Sequence, residues 1–274
     1  MPYYTKLGKL PRTRHIQFRR PDGALYSEEL FGTEGFVGPT STLYHIHPPT
    51  QVSGWKTLYS TKPEYVEQDV MRMRHAKTQG MKPEGDAVTG RIVLYGNADV
   101  EMAICTPAEQ MAYHFKNGQG DECLFFHYGS GIAYTMFGAV AFKRKDYMVL
   151  PKGTIYRIEF NERPDDGSDN EAFGGYTKAE MPLGKFVEHA PYCERDLHPP
   201  TEPMTFDEKG EFEVRIKARD QIHSYVYPYH PLDVVGWDGC YYPYTFNIDD
   251  FAPIVGKVHM PPPIHQTFEG HNFV

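Results

Sequence analysis

Short apolar runs, separated by glycine, proline and polar clusters, dominate the middle of the chain. Eight of them have the length and pattern of strands: 91–95 (RIVLY), 99–105 (DVEMAIC), 123–128 (CLFFHY), 131–137 (GIAYTMF), 147–150 (YMVL), 155–160 (IYRIEF), 211–217 (EFEVRIK) and 222–227 (IHSYVY). Several alternate apolar and polar positions, as a strand with one buried face does. Turn formers are spread along the whole chain, 25 Gly and 23 Pro, which is the punctuation of many short strands. The pattern predicts an all-β fold. Residues 64–75 (EYVEQDVMRMRH) suit either a helix or a long strand, and 161–171 (NERPDDGSDNE) reads as an exposed loop.

The pattern changes towards the end. Trp237, Tyr241, Tyr242, Tyr244 and Phe246 fall within ten positions, and His259 then stands before three consecutive prolines, Pro261 to Pro263. Aromatic side chains bury large areas, and Tyr and Trp also carry a polar tip. A proline run stiffens its neighbourhood, so a histidine beside it is held in place. Two readings follow: a packed aromatic corner with an ordinary histidine beside it, or an aromatic wall with a histidine aimed at a ligand.

Length and charge narrow the picture. The 274 residues suffice for one large all-β unit or two smaller ones. The net charge of −8 argues against nucleic acid or an anionic membrane as the main partner. The opening residues MPYYTKLGKLPRTRH lack the apolar stretch of a signal peptide, and no apolar run approaches the roughly 20 residues of a membrane helix. The four cysteines, Cys105, Cys123, Cys193 and Cys240, are scattered and form no C-x-x-C. A cytoplasmic location is expected.

Three further clusters carry chemistry-capable residues. His45 and His47 are two apart, so on a strand they share a face and could chelate a metal; the next acidic residue along the chain is Glu64, and surface or packing roles are the alternative. Pro48 and Pro49 are expected to end that strand. Residues 12–20 (RTRHIQFRR) hold four arginines, expected as an intersubunit or solvent-facing salt-bridge strip. His189, Cys193, Glu194 and His198 crowd together between prolines, as a zinc site or as a connector between layers.

Two runs resemble a known family. Residues 114–160 resemble a cupin core: Glu122 is followed by six residues and Gly129, and Pro151, Lys152 and Gly153 match the P-x-G turn. The cupin metal histidines are absent. Asn117 or Gly118 falls where one belongs, and Tyr156 replaces another. One carboxylate without imidazoles does not hold a mononuclear iron or zinc, so this cupin is expected to be metal-free. The run His114, Phe115, Lys116, Asn117, Gly118, Gln119, Gly120, Asp121 and the later run from Val234 to Phe251, with its W-x-G-x-Y-x-P-Y core, both resemble the homogentisate 1,2-dioxygenase family, in the same order. Asp238 stands where that family has a histidine after the tryptophan.

The resemblance implies a cupin-like antiparallel β-sandwich over residues 1–228, with a metal-free N-terminal cupin (core 114–160). Residues 229–274 would lead into a second, incomplete domain. It implies a ring-cleaving dioxygenase of tyrosine and phenylalanine catabolism that takes a small aromatic acid, homogentisate, and O2. Fe(II) would be held by two histidines and a glutamate in the complete protein, with none expected in residues 1–274. It also implies a homo-oligomer, trimer or hexamer. His259 matches the family histidine that lies beside substrate and acts as acid/base, not as metal ligand. No H-x5-E run with a following histidine appears before Val274, so the chain is expected to be the first part of a longer protein. A metal-free cupin that serves binding or assembly is the other expectation.

Overall fold

The structure is a computed structural model that describes residues 3–14, 16–35, 37–66, 70, 72–78, 80–161, 172–181, 194–250 and 268. Among these the chain forms seventeen strands. The first six are β1 (Thr5–Gly8), β2 (Ser27–Glu34), β3 (Val37–His45), β4 (Gly54–Ser60), β5 (Arg91–Gly96) and β6 (Glu101–Cys105). The central seven are β7 (His114–Asn117), β8 (Asp121–Tyr128), β9 (Gly131–Thr135), β10 (Gly138–Phe142), β11 (Asp146–Leu150), β12 (Ile155–Phe160) and β13 (Gly175–Met181). Then come β14 (Lys209–Ala218), β15 (Gln221–Tyr229), β16 (Val234–Gly239) and β17 (Tyr244–Asn247), with single 3-10 turns at Glu194–Asp196 and Ile248–Asp250. No helix of the described residues is long and apolar enough to cross a membrane.

The strands make three sheets. One has the order β1-β16-β3-β2, a second β10-β9-β12-β7-β14-β15-β4, and a third β17-β11-β8-β13-β6-β5. Every pairing is antiparallel except β7 with β14. The six- and seven-stranded sheets pack face to face: Leu124, Phe126, Met148 and Tyr176 from one interleave with Phe115, Ala133, Ile158 and Phe160 from the other. A second apolar cluster joins Phe31, Leu43 and Trp237 of the four-stranded sheet to Phe137, Val214 and Tyr244. Burial at ~25 cal/mol per Å2 of apolar surface makes these two clusters the main favourable term.

All eight apolar runs form strands. Turns follow local chemistry. The β14–β15 hairpin turns through Arg219 and Asp220, both at positive φ (52° and 55°), the geometry of a two-residue hairpin loop. Non-glycine residues there are strained, and Gln119 offsets this with two bonds to Asp220, one to its carboxylate and one from its amide, each 2.9 Å. Gly153, at φ 93°, closes the P-x-G turn, where its amide donates to Asn117 O at 2.7 Å.

Residues 229–250 are woven into the same sheets. β16 lies between β1 and β3, and β17 extends the six-stranded sheet beside β11. Gly236 permits the first contact, since a Cβ there would sit 2.2 Å from Lys9 O. The described part of 64–75 is irregular, neither helix nor strand, and of 161–171 only Asn161 is described. The rest of both stretches lies outside the described residues.

Candidate functional site

The aromatic stretch is buried. Every residue of β16 and β17 is buried, Trp237 completely. The Trp237 indole donates to Phe137 O at 2.8 Å, and its ring meets Phe137 edge-on, centroids 5.1 Å apart. Tyr242 donates to Tyr3 O at 2.7 Å. Ser41 and Tyr241 exchange a hydroxyl and backbone pair of bonds. These residues are the packed corner of the fold, with each polar tip satisfied inside it. His259 and Pro261–Pro263 lie outside the described residues.

Three motifs read separately in the sequence converge on Asp121. The Tyr241 hydroxyl and the Lys152 amide both donate to its Oδ1, at 2.5 and 2.8 Å. Burial and the neighbouring carboxylate push the Tyr241 hydroxyl well above the usual tyrosine range. The other positions of the 114–121 run are structural as well. His114 is buried, and burial with His230 and Arg157 lowers its pKa to about 3, so the ring is neutral.

The cupin positions also come together, as donors rather than ligands. Glu122 is fully buried, and both its carboxylate oxygens are occupied. Oε1 accepts from Arg91 at 2.7 Å and from Asn117 at 3.2 Å; Oε2 accepts from the Tyr156 hydroxyl at 2.5 Å. The sequence placed Asn117 and Tyr156 where histidines belong, and they converge there as hydrogen-bond donors. Arg91 is a residue that sequence reasoning missed. Its guanidinium also donates to Tyr156 and Tyr176, at 3.0 Å each. Burial opposes its charge, but Glu122 holds it firmly protonated.

A second ionic layer adjoins this one. Lys178 lies 2.5 Å from Glu180, 3.1 Å from Glu101 and 3.9 Å from Glu122, and Lys217 lies 2.8 Å from Glu180. Burial raises the Glu180 pKa, but the two lysines outweigh it and lower it to about 2. Three cations balance three carboxylates across both facing sheets. Such a network costs desolvation, and removing one member leaves its partner buried and uncompensated.

His45 and His47 are separated by their partners. His45 is buried, with Nδ1 2.7 Å from Asp233 and Nε2 3.0 Å from Glu29. Burial alone would lower its pKa; the two carboxylates outweigh that and raise it from 6.5 to about 9. His47 stacks on Tyr229 and pairs with Asp207 at 2.6 Å. The acidic partners absent nearby in sequence are supplied from across the fold, and they bond the rings rather than share a metal. In the arginine-rich strip, the half-exposed Arg14 pairs with Asp238 at 2.6 Å, the Tyr4 hydroxyl donates to the same carboxylate at 2.5 Å, and Arg20 pairs with Asp22. That strip is therefore partly a tether of the N-terminal segment to β16.

Of the fourth cluster, His189 and Cys193 lie outside the described residues. Glu194 is exposed on its 3-10 turn, and the His198 backbone bridges to Thr245. Among the described residues no three His, Cys, Asp or Glu side chains are grouped to hold a metal ion. The described residues do not fit an iron ion, because the one carboxylate at the cupin position has both oxygens engaged.

A family model described as homogentisate 1,2-dioxygenase N-terminal matches residues 6–248. A protein of Saccharolobus solfataricus, provisionally named a dioxygenase, is 34% identical over all of this chain and 71% of its own length. The homogentisate 1,2-dioxygenase of Bradyrhizobium diazoefficiens is 28% identical over 94% of this chain. The chain spans 61% of that relative's length. Among solved structures, a cupin 2 conserved barrel domain protein from Leptotrichia buccalis overlaps 57% of this chain and 88% of its own, with 8% identity and a TM-score of 0.28.

Proposed function

The chain belongs to the homogentisate 1,2-dioxygenase family through that family's N-terminal region, and from this premise we propose that it is the scaffold part of a ring-cleaving dioxygenase. The observation that carries the reading is the match over residues 6–248, whose motif positions meet at Asp121. The proposed substrate is homogentisate, 2,5-dihydroxyphenylacetate. Both atoms of O2 enter the product, maleylacetoacetate, as the ring opens. Fe(II) is the proposed cofactor of the complete polypeptide, with its ligands outside the described residues.

His259 is the proposed acid/base. A hydroquinone loses a phenolic proton as it engages a metal, and imidazole is the side chain that titrates near neutral pH. The remaining proposals are a homo-oligomeric assembly and a cytoplasmic setting. The saturation of Glu122 fits this scaffold and equally a second reading, a metal-free binding or assembly module. One experiment separates the two. The coding sequence is read past codon 274, and its complete product is loaded with Fe(II) and assayed for oxygen uptake with homogentisate. A downstream H-x5-E run followed by a further histidine, with uptake, supports the enzyme. A stop codon there, without uptake, supports the module.

A further inference from the structure

A cleft opens between the four-stranded and seven-stranded sheets, on the side of β7 away from Glu122. Along β7, Phe115 and Asn117 face the Glu122 side, so Lys116 between them faces the other way. Lys116 and Tyr227 line the cleft from the seven-stranded sheet, Glu29 and His45 from the four-stranded sheet, and His230 and Asp233 from the link between β15 and β16. The room inside is about 30 Å3, and about 430 Å3 with the open mouth, which suits the head group of a small ligand rather than a whole cofactor. Pro48, Ile155 and Tyr229 supply apolar wall.

Most polar groups in the cleft are already engaged. Both His45 nitrogens are held, by Asp233 and Glu29, and the second Asp233 oxygen accepts from the His47 amide at 2.8 Å. His47 brings its own carboxylate, Asp207. His230 Nδ1 accepts from the Leu232 amide at 3.1 Å, which leaves the ring proton on Nε2. The Lys116 ammonium, the Tyr227 hydroxyl, His230 Nε2 and one Glu29 oxygen have no partner among the described residues.

Lys116 and Glu29 are opposite charges on opposite sheets that do not meet. Burial would raise the Glu29 pKa, but His45 and Lys116 outweigh it and hold it below the usual range, so the carboxylate is charged. Its ion-pair partner is His45, and no ion pair joins it to Lys116. His45 and Lys116 together balance Glu29 and Asp233, so a simple anion or a simple cation finds no net charge to attract it. A ligand that carries both a carboxylate and an ammonium finds a counter-charge for each.

We propose that this cleft binds the head group of a small α-amino acid with an apolar side chain, its carboxylate on Lys116 and its ammonium on the free oxygen of Glu29. The side chain then rests at the mouth against Pro48 and Tyr229. The ring chemistry plays no part in this site.

Calorimetric titration of the full chain with L-valine tests it. L-valine should bind saturably with a Kd of roughly 1 mM, ordinary for so small a ligand. Isovalerate lacks only the ammonium and isobutylamine only the carboxylate, and each should bind at least about tenfold more weakly. Lys116→Met should weaken L-valine by a similar factor and leave isobutylamine within about threefold of its parental affinity. Its thermal midpoint without ligand should match the parent, because Lys116 makes no bond that the substitution removes. Should that variant fail to fold, the three ligands on the parent chain still decide. The proposal is overturned if L-valine shows no saturable binding by about 20 mM, which leaves the cleft to solvent. It is overturned equally if either analogue binds as tightly as L-valine, or if folded Lys116→Met binds L-valine as the parent does.

Discussion

Tyr241 donates its hydroxyl hydrogen to Asp121 Oδ1 at 2.5 Å, across 120 positions of sequence. The bond joins the H-F-x-N-x-x-G-D run to the W-x-G-x-Y-x-P-Y run, and the Lys152 amide of the P-x-G turn reaches the same oxygen. The residues that mark the family are thus a single structural knot. Their spacing reflects how β7, β8, β16 and β17 must meet.

Tyr241→Phe removes one donor from a buried carboxylate while keeping the ring and its packing. A hydrogen bond to a charged group contributes about 1.5–3 kcal/mol. Urea unfolding should show a loss of that size with an unchanged denaturant slope. A variant as stable as the parent would mean that the knot does not hold the motifs together.

The Arg91–Glu122 pair gives a second expectation. Arg91→Met leaves Glu122 with only the more distant Lys178, 3.9 Å away, and Glu122→Gln leaves the guanidinium without its carboxylate; each should cost about 3–5 kcal/mol. Because each single variant strands a charge, the double variant should lose less than the sum of the two. Additive losses in a double-mutant cycle would show that the two charges do not interact.

The buried His45 makes stability pH-dependent. Folding raises its pKa from 6.5 to about 9, so the folded state holds the proton more tightly. The stabilisation is full below about pH 6.5 and is lost as pH rises through about 9, on the order of 3 kcal/mol in all. The charges around it set the window: Glu29 and Asp233 bond the ring, Lys116 acts on Glu29, and His47 and Asp207 lie nearby. Stability measured from pH 6 to 10 should fall across this range in the parent and much less in His45→Gln. An equal fall in both would place the proton elsewhere.

His259 is tested in the complete polypeptide. A general acid/base is typically worth ~10²–10⁴-fold in rate, whereas loss of a metal ligand changes metal content. His259→Gln should keep iron near parental occupancy and lower kcat at least ~10²-fold. Iron content, thermal midpoint and single-turnover rate on one sample separate acid/base, ligand and packing roles. Normal turnover would make His259 a packing residue.

What the sequence revealed follows from which forces are local. The eight apolar runs were legible because alternation is written along a strand. β16 was not, since Val234–Gly239 is buried at every position and shows no alternation. β1 is only four residues long, and β4 leaves Trp55 and Tyr59 exposed instead of burying an alternating apolar face, so nothing marked them. At the candidate site Glu122, Asn117 and Tyr156 were found through cupin spacing. Arg91, Lys178, Glu180 and Lys217 were not, because charged residues in a strand ordinarily mark its solvent face, and here they point inward. The Asp233 partner of His45 stands 188 positions away, beyond any local reading.

Under the proposed function, this sandwich is a metal-free scaffold and ring opening needs groups outside its described residues. Iron content and oxygen uptake with homogentisate and added Fe(II), measured together on residues 1–274, test it most directly. The account predicts no stoichiometric iron and no ring opening. Stoichiometric iron with oxygen uptake at the rate of an intact homologue would contradict it.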